Sequence, residues 1–253
     1  MSIKHTIQCK LGKHELAWKF LPDSCEQRQV CVHCQQGFET RQQPHIWGEW
    51  QTLEGTLTQQ RTCDRCNTHE QRPVPVRVRK DNTGLGTIIE IPAGPFWMGS
   101  DRWESWAGAT QAPNLKLESP RHSVSLPTYW IGRTQVTVFQ FRSFVRASGY
   151  QWKNADKKQG EGNHPIVYVN WFDVLAYCQW LTDTWHASGM ISPNEVVLPP
   201  SEAEWEKAAR GIDGRIYPWG ESGVFQGHYE ALGPTKPVGS YSPAGDSPYG
   251  CAD

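Results

Sequence analysis

The chain has 253 residues, with 25 Lys+Arg against 26 Asp+Glu and a formal charge of −1. No global field therefore steers it toward nucleic acid or an anionic membrane, and no apolar run approaches the ~20 residues that span a bilayer. Thirteen tryptophans and 23 glycines with three methionines point to a loop-rich fold anchored by large aromatics, not to a helical bundle.

Residues 1–70 are read as a small zinc-binding β module. Six of the eight cysteines lie here: Cys9, Cys25, Cys31, Cys34, Cys63 and Cys66. Cys31/Cys34 and Cys63/Cys66 are Cys-x-x-Cys pairs, and this spacing lets two thiolates approach one tetrahedral ion from a tight turn. The start of the chain carries no apolar leader, so a cytoplasmic location is expected, where such pairs read as metal ligands before disulfides. A weak repeat organises the segment. His14-Glu-Leu-Ala-Trp18 precedes the first pair and His45-Ile-Trp-Gly-Glu-Trp50 the second, each pair with an arginine just ahead of it. Two ligand schemes follow. Cys31, Cys34, Cys63 and Cys66 form one ribbon site, or each pair takes its histidine and Cys9 or Cys25 completes the first site. Eight candidates (Cys9, His14, Cys25, Cys31, Cys34, His45, Cys63 and Cys66) suffice for two structural zinc ions. A segment this polar has little core of its own, and a structural zinc would stabilise it. His33 and His69 have no counterpart in the other repeat and read as surface residues.

Residues 71–86 read as a basic linker, extended by Pro73 and Pro75 and ending in turn-formers. Through Lys80 the chain carries 12 Lys+Arg against 8 Asp+Glu; the remainder has 13 against 18. Arg72, Arg77, Arg79 and Lys80 supply much of that excess and are the candidate phosphate contacts if the module meets nucleic acid.

Residues 87–253 show short strands and three helices. Strands are expected at Ile88–Ile91, Ser123–Leu126 and Ile166–Val169. Thr137 is placed as the N-cap of a helix through Phe139, Phe141, Phe144 and Val145 that Gly149 ends. Asn170 caps a second helix, whose stripe Trp171, Val174, Leu175, Cys178 and Leu181 is expected to face inward. The third is the most distinctive: Ser201 and Glu204 form a capping box ahead of Trp205, Ala208 and Ala209, and Gly211 closes the helix with a left-handed residue. The pattern is α+β.

Several motifs carry a family likeness. Leu198-Pro-Pro-Ser-Glu-Ala-Glu-Trp-Glu-Lys-Ala-Ala-Arg-Gly211 with Tyr217-Pro-Trp-Gly220 resembles the signature of the formylglycine-generating enzyme (sulfatase-modifying factor) family. Thr87 to Met98-Gly-Ser100, Glu118 to Leu126, Tyr129 to Thr137, His164-Pro-Ile-Val-Tyr-Val-Asn-Trp, Lys236-Pro-Val-Gly-Ser240 and Tyr249 to Asp253 are similar to other family segments. The resemblance spans roughly residues 85–253. It implies a C-type-lectin-like fold, here incomplete, because the family's C-terminal part would follow Asp253. In the family that part carries the two cysteines that bind copper and oxidise the cysteine of a Cys-x-Pro-x-Arg substrate. Cys178 and Cys251 match neither position, so copper is not expected in this chain. The family's calcium sites fare no better: one needs an Asn and an Asp where this chain offers Glu221, His228, Tyr229 and Glu230.

Two functions from different classes follow. The first is a non-catalytic recognition or adaptor protein that docks a protein partner or complementing chain, with Trp103, Trp106 and Trp152 as candidate anchors. The alternative is a formylglycine-generating oxidase whose copper-binding half is supplied elsewhere. A hydrolase built on Asp101, Glu104, His122, His164 and His228 finds no motif-level spacing. No membrane partner is expected.

Overall fold

The computed structural model describes residues 12–53, 56–100, 119–157, 159–220 and 234–252. Cys9, Trp103, Trp106, Asp101, Glu104, Glu221, His228, Tyr229 and Glu230 lie outside them. The chain divides into two compact units, Met1–Val74 and Pro75–Asp253.

The first unit holds two small antiparallel sheets of the same design. β1 (Leu16–Phe20), β2 (Glu26–Cys31) and β3 (Gly37–Gln42) form one; β4 (Gln51–Thr52), β5 (Thr58–Thr62) and β6 (His69–Pro73) form the other. Each Cys-x-x-Cys pair is the turn that joins the second and third strands. Gln35 N–H donates to Cys31 O and Cys31 N–H to Gln36 O; Asn67 N–H and Cys63 N–H repeat this on Cys63 O and Thr68 O. Gln35 and Asn67 sit at φ 59° and 55°, the left-handed residues such turns need. β3 and β6 are exposed along their whole length. Among the described residues of this unit only Cys25, Cys31 and Cys63 are fully buried, at 2%, 0% and 0% exposure. Its core is sulfur.

The second unit is a mixed α/β arrangement of small sheets and three helices. β7 (Val78–Lys80), β8 (Thr87–Ile91) and β11 (Tyr129–Gly132) pair in the order β11-β8-β7, and β9 (Gly94–Met98) pairs with β10 (His122–Leu126). Residues expected as linker thus contribute β7 and a turn over Asp81–Gly86. α1 (Val138–Ser148), α2 (Trp171–Ser188) and α3 (Glu202–Arg210) each begin in a complete capping box, at Thr137, Asn170 and Ser201. Gly149 and Gly189 close α1 and α2 in the left-handed conformation. Gly211 also has positive φ (76°), but its ψ of −149° lies outside the left-handed helical region. A side chain there would meet the Pro248 ring at 3.0 Å.

The core gathers β8 and the inner faces of α1 and α2: Ile88, Phe141, Phe144, Tyr177, Leu181 and Trp185 are all buried. Phe141 stacks on Tyr177 at 5.8 Å and meets Trp152 edge-on at 5.1 Å. Trp152 is therefore a core residue, not an exposed anchor. Trp185 closes this core by donating its Nε1 to buried Asp81 at 2.8 Å. The inward stripe of α2 runs through Asp173, Tyr177, Cys178, Leu181 and Trp185. Trp171 and Leu175, expected inside, are 61% and 38% exposed. The run Ile166–Val169 is not a strand. Tyr168 adopts φ 59°, which interrupts an extended chain, and only Pro165 makes a bridge, to Thr137. Among the described residues no helix is long and apolar enough to cross a membrane.

Candidate metal centres and the family unit

The duplicated turns of the first unit build two clusters of metal-ligand atoms. Cys25, His45, Cys63 and Cys66 form one and His14, Cys31 and Cys34 the other, with the ligand atoms of each within 4.8 Å of one another. In the first cluster Cys25 Sγ lies 3.5 Å from Cys63 Sγ and 3.4 Å from Cys66 Sγ, and His45 Nδ1 lies 3.2 Å from both Cys25 Sγ and Cys66 Sγ. Ligands held tetrahedrally at ~2.0–2.3 Å from an ion stand about 3.3–3.8 Å apart, so the spacing fits a four-coordinate ion closely. Three sulfurs and one imidazole are a donor set that could hold a metal ion, and one that suits zinc. In the second cluster His14 Nδ1 lies 3.5 Å from Cys34 Sγ.

The four groups of this cluster shift one another's protonation. Burial pushes the Cys25 thiol up to about 11, reinforced by the neighbouring Cys66 and Cys63 sulfurs. Burial also opposes ionisation of Cys63, but N–H groups of Arg65 and Cys66, with His45, bring it down to about 5. Thr68 lowers Cys66, and Cys63 raises His45. A divalent ion bound by this donor set would hold every member deprotonated.

The two Cys-x-x-Cys pairs do not share a site. Cys25, weighed as a completing ligand for the first pair, reaches the second. The turn after β1 carries it there: Leu21 N–H donates to Glu26 O, and Gln43 N–H to Cys25 O. His14 and His45 each lie with the pair that follows them. His33 and His69 stand outside both clusters, against Glu15 at 3.0 Å and Thr62 Oγ1 at 2.9 Å.

The linker arginines are engaged locally. Arg79 contacts both Glu195 oxygens at 3.1 Å and lies 4.1 Å over the Trp130 ring. This contact pulls Glu195 down to about 2. Arg77 meets Glu90 at 3.4 Å.

In the second unit the most distinctive sequence segment, α3, works as a clamp. Lys207, 1% exposed, donates to Pro92 O at 2.7 Å and Gly94 O at 3.0 Å, between β8 and β9. Glu206 accepts from Gly99 N–H at 2.9 Å and pairs with Arg210, which donates to Gly99 O at 3.1 Å and Arg215 O at 2.6 Å. The Glu-Lys-Ala-Ala-Arg run thus ties the Met98-Gly99-Ser100 turn to the helix. A profile of the sulfatase-modifying factor enzyme 1-like domain matches residues 71–253.

The chain belongs to that family.

Similar proteins within it differ in what their names state. A hercynine oxygenase of Mycolicibacterium smegmatis is 29% identical, over 65% of this chain and 42% of its own length. A formylglycine-generating enzyme of Streptomyces coelicolor is 26% identical, over 62% of this chain and 63% of its own. A mouse protein named inactive C-alpha-formylglycine-generating enzyme 2 is 26% identical, over 53% of this chain and 50% of its own. The chain thus spans between about two fifths and two thirds of these relatives.

The family unit's described cysteines are held as neutral thiols. Burial pushes Cys178 up to about 11, and burial also raises Cys251. Both line an apolar cleft of about 1410 Å³ together with Val174, Leu198 and Trp205. Trp171, Leu198 and Trp205 are 61%, 67% and 62% exposed there. His122 Nδ1 lies 3.0 Å from Pro120 O and His164 Nδ1 3.0 Å from Thr235 Oγ1, which are framework contacts.

Proposed function

We propose that the chain is a recognition or adaptor protein. It joins a zinc-stapled docking module to a non-catalytic unit of the formylglycine-generating enzyme family, with that family's C-type-lectin-like scaffold. The observation that carries this reading is the four-residue cluster of Cys25, His45, Cys63 and Cys66 in a unit whose fully buried described residues are all cysteines. A structural zinc fills its four positions and leaves none for a substrate. His14, Cys31 and Cys34 hold a second zinc, and Cys9, the remaining cysteine of the first 66 residues, supplies its fourth ligand.

The apolar cleft with exposed Trp171, Leu198 and Trp205 serves as the face for a protein partner or complementing chain, since contiguous exposed apolar surface marks interaction sites. The module's location is cytoplasmic, where thiols remain available to zinc.

The second reading, an oxidase whose copper-binding half is supplied elsewhere, draws on the names of the bacterial relatives. Copper(I) is selected by soft thiolate pairs, and burial keeps Cys178 and Cys251 protonated. The test is copper(I) titration of the chain followed by incubation with a Cys-x-Pro-x-Arg peptide. No aldehyde product is expected, and no copper(I) beyond what the thiolates of the first unit take up. Turnover by these 253 residues alone would establish the oxidase instead.

A further inference from the structure

The two sheets of the first unit repeat more than their cysteines. Arg41 lies 4.1 Å over the Trp18 ring and donates its Nε to Gln27 Oε1 at 2.9 Å. Arg72 lies 4.1 Å over the Trp50 ring and donates its Nε to Gln59 Oε1 at 3.1 Å. In each sheet the glutamine and arginine are direct cross-strand partners, Gln27 opposite Arg41 and Gln59 opposite Arg72. Trp18 and Gln27 recur 32 positions later as Trp50 and Gln59, and Arg41 recurs 31 later as Arg72. One aromatic, one amide and one guanidinium have thus been built twice in the same geometry.

Structural arginines are normally satisfied by a carboxylate, as Arg61 is by Glu70 in the same sheet. Arg41 and Arg72 have no carboxylate partner among the described residues. Both are exposed on the edge strands β3 and β6, while Trp18 and Trp50 beneath them are half-buried. Fixing Nε sets the plane of each guanidinium, so its remaining N–H groups meet an anion with little further loss of side-chain freedom.

Between the two triads the pattern continues. Arg65 lies 3.8 Å over Phe20, which shares a strand face with Trp18, and Arg61 lies 4.7 Å over both Trp47 and Trp50. Cations laid on flat rings therefore recur through both sheets, in a unit that up to Val74 carries nine Lys+Arg against eight Asp+Glu, so the attraction to an anion is local to these arginines.

We propose that the Trp18–Gln27–Arg41 and Trp50–Gln59–Arg72 triads bind single-stranded nucleic acid, each guanidinium taking a phosphate on its free N–H groups while a base stacks on the exposed outer face of the arginine plane that the ring beneath holds in place. This rests on the proposed docking role of the module and names its ligand. A repeated cation on a repeated ring suits a polymer that presents an anion and a flat face in every unit. An acidic peptide offers the charge without the rings, so it uses only half of what is built.

The test is fluorescence anisotropy of an oligothymidine of about 20 nucleotides with the full chain, between about 50 and 200 mM salt. Arg41→Ala/Arg72→Ala is expected to weaken binding about tenfold or more and to flatten the salt slope by about 1.4, the loss of two single-strand phosphate contacts. Arg41→Lys/Arg72→Lys keeps the charge and loses the stacked plane, so it should retain most of the slope while still losing affinity. Zinc is measured on the same samples. A zinc-loaded wild-type chain that does not bind the oligonucleotide overturns the proposal. So does one that binds a poly-glutamate peptide instead, or variants that bind as wild type. A zinc-free chain that binds, and loses binding in the alanine variant, upholds this surface and removes the zinc reading alone.

Discussion

The two units solve the same problem with opposite materials. The family unit buries phenylalanine, tyrosine and tryptophan between two capped helices and a sheet, and the few polar groups it admits are partnered, as Asp81 is by Trp185 and Lys207 by two carbonyls. The first unit buries three cysteines and leaves whole strands exposed. Where apolar volume is plentiful, burial supplies the folding free energy at ~25 cal/mol per Å². Where it is scarce, a metal held by side chains distant in sequence can supply it, which is the role proposed for the clusters of the first unit. Cys25 shows why position matters: it leaves the first sheet to reach a pair in the second, so a single ion there would tie both sheets together.

The contrast breaks most visibly under chelation. A strong zinc chelator is expected to unfold the first unit, because structural zinc contributes ~10–16 kcal/mol in comparably small domains. Limited proteolysis should then cleave within residues 12–74 while Pro75 onward resists. Equal loss of both units would show that they share one source of stability. Phe141→Ala should reverse the pattern. It removes a ring that touches Phe144, Trp152 and Tyr177 and is expected to cost about 3–5 kcal/mol. Calorimetry would show the family unit melting earlier with zinc content unchanged.

Acid probes a smaller effect. Arg79 holds Glu195 down at about 2 from its ordinary 4.5. A carboxylate whose folded value is depressed stabilises the fold above its unfolded value, and that stability fades as pH falls from about 4.5 toward 2. Both side chains are about one third exposed, so solvent screening leaves roughly 1 kcal/mol of the full linkage. Arg79→Met should remove that part of the acid dependence of Tm. An unchanged acid profile would reduce this ion pair to a surface contact.

Sequence legibility followed the range of the interactions. Thr137, Asn170 and Ser201 could be read as caps because a capping box closes within four residues. The Cys-x-x-Cys turns were legible for the same reason. The partner of Cys25 was not, since it lies 38 and 41 residues away through a turn the spacing does not encode. Ile166–Val169 has strand composition, yet Tyr168 takes a positive φ that composition cannot reveal. Trp152 looked like a loop anchor because its burial depends on Phe141, eleven residues earlier on another element. The Trp–Gln–Arg triads carry a signal in the sequence, an offset near 32, but their glutamine–arginine contacts depend on a cross-strand register that spacing alone does not encode. The family motif was legible as a signature, and its physical content, Lys207 on two carbonyls and Arg210 on Gly99, needed coordinates.

The most direct measurement is metal content with X-ray absorption on the purified chain, wild type beside Cys25→Ser. Two zinc ions per wild-type chain with mixed sulfur and nitrogen ligation are expected, and the substitution should remove one and loosen both sheets. Copper on sulfur ligands, or a folded first unit with no metal at all, would contradict a sulfur-and-zinc core.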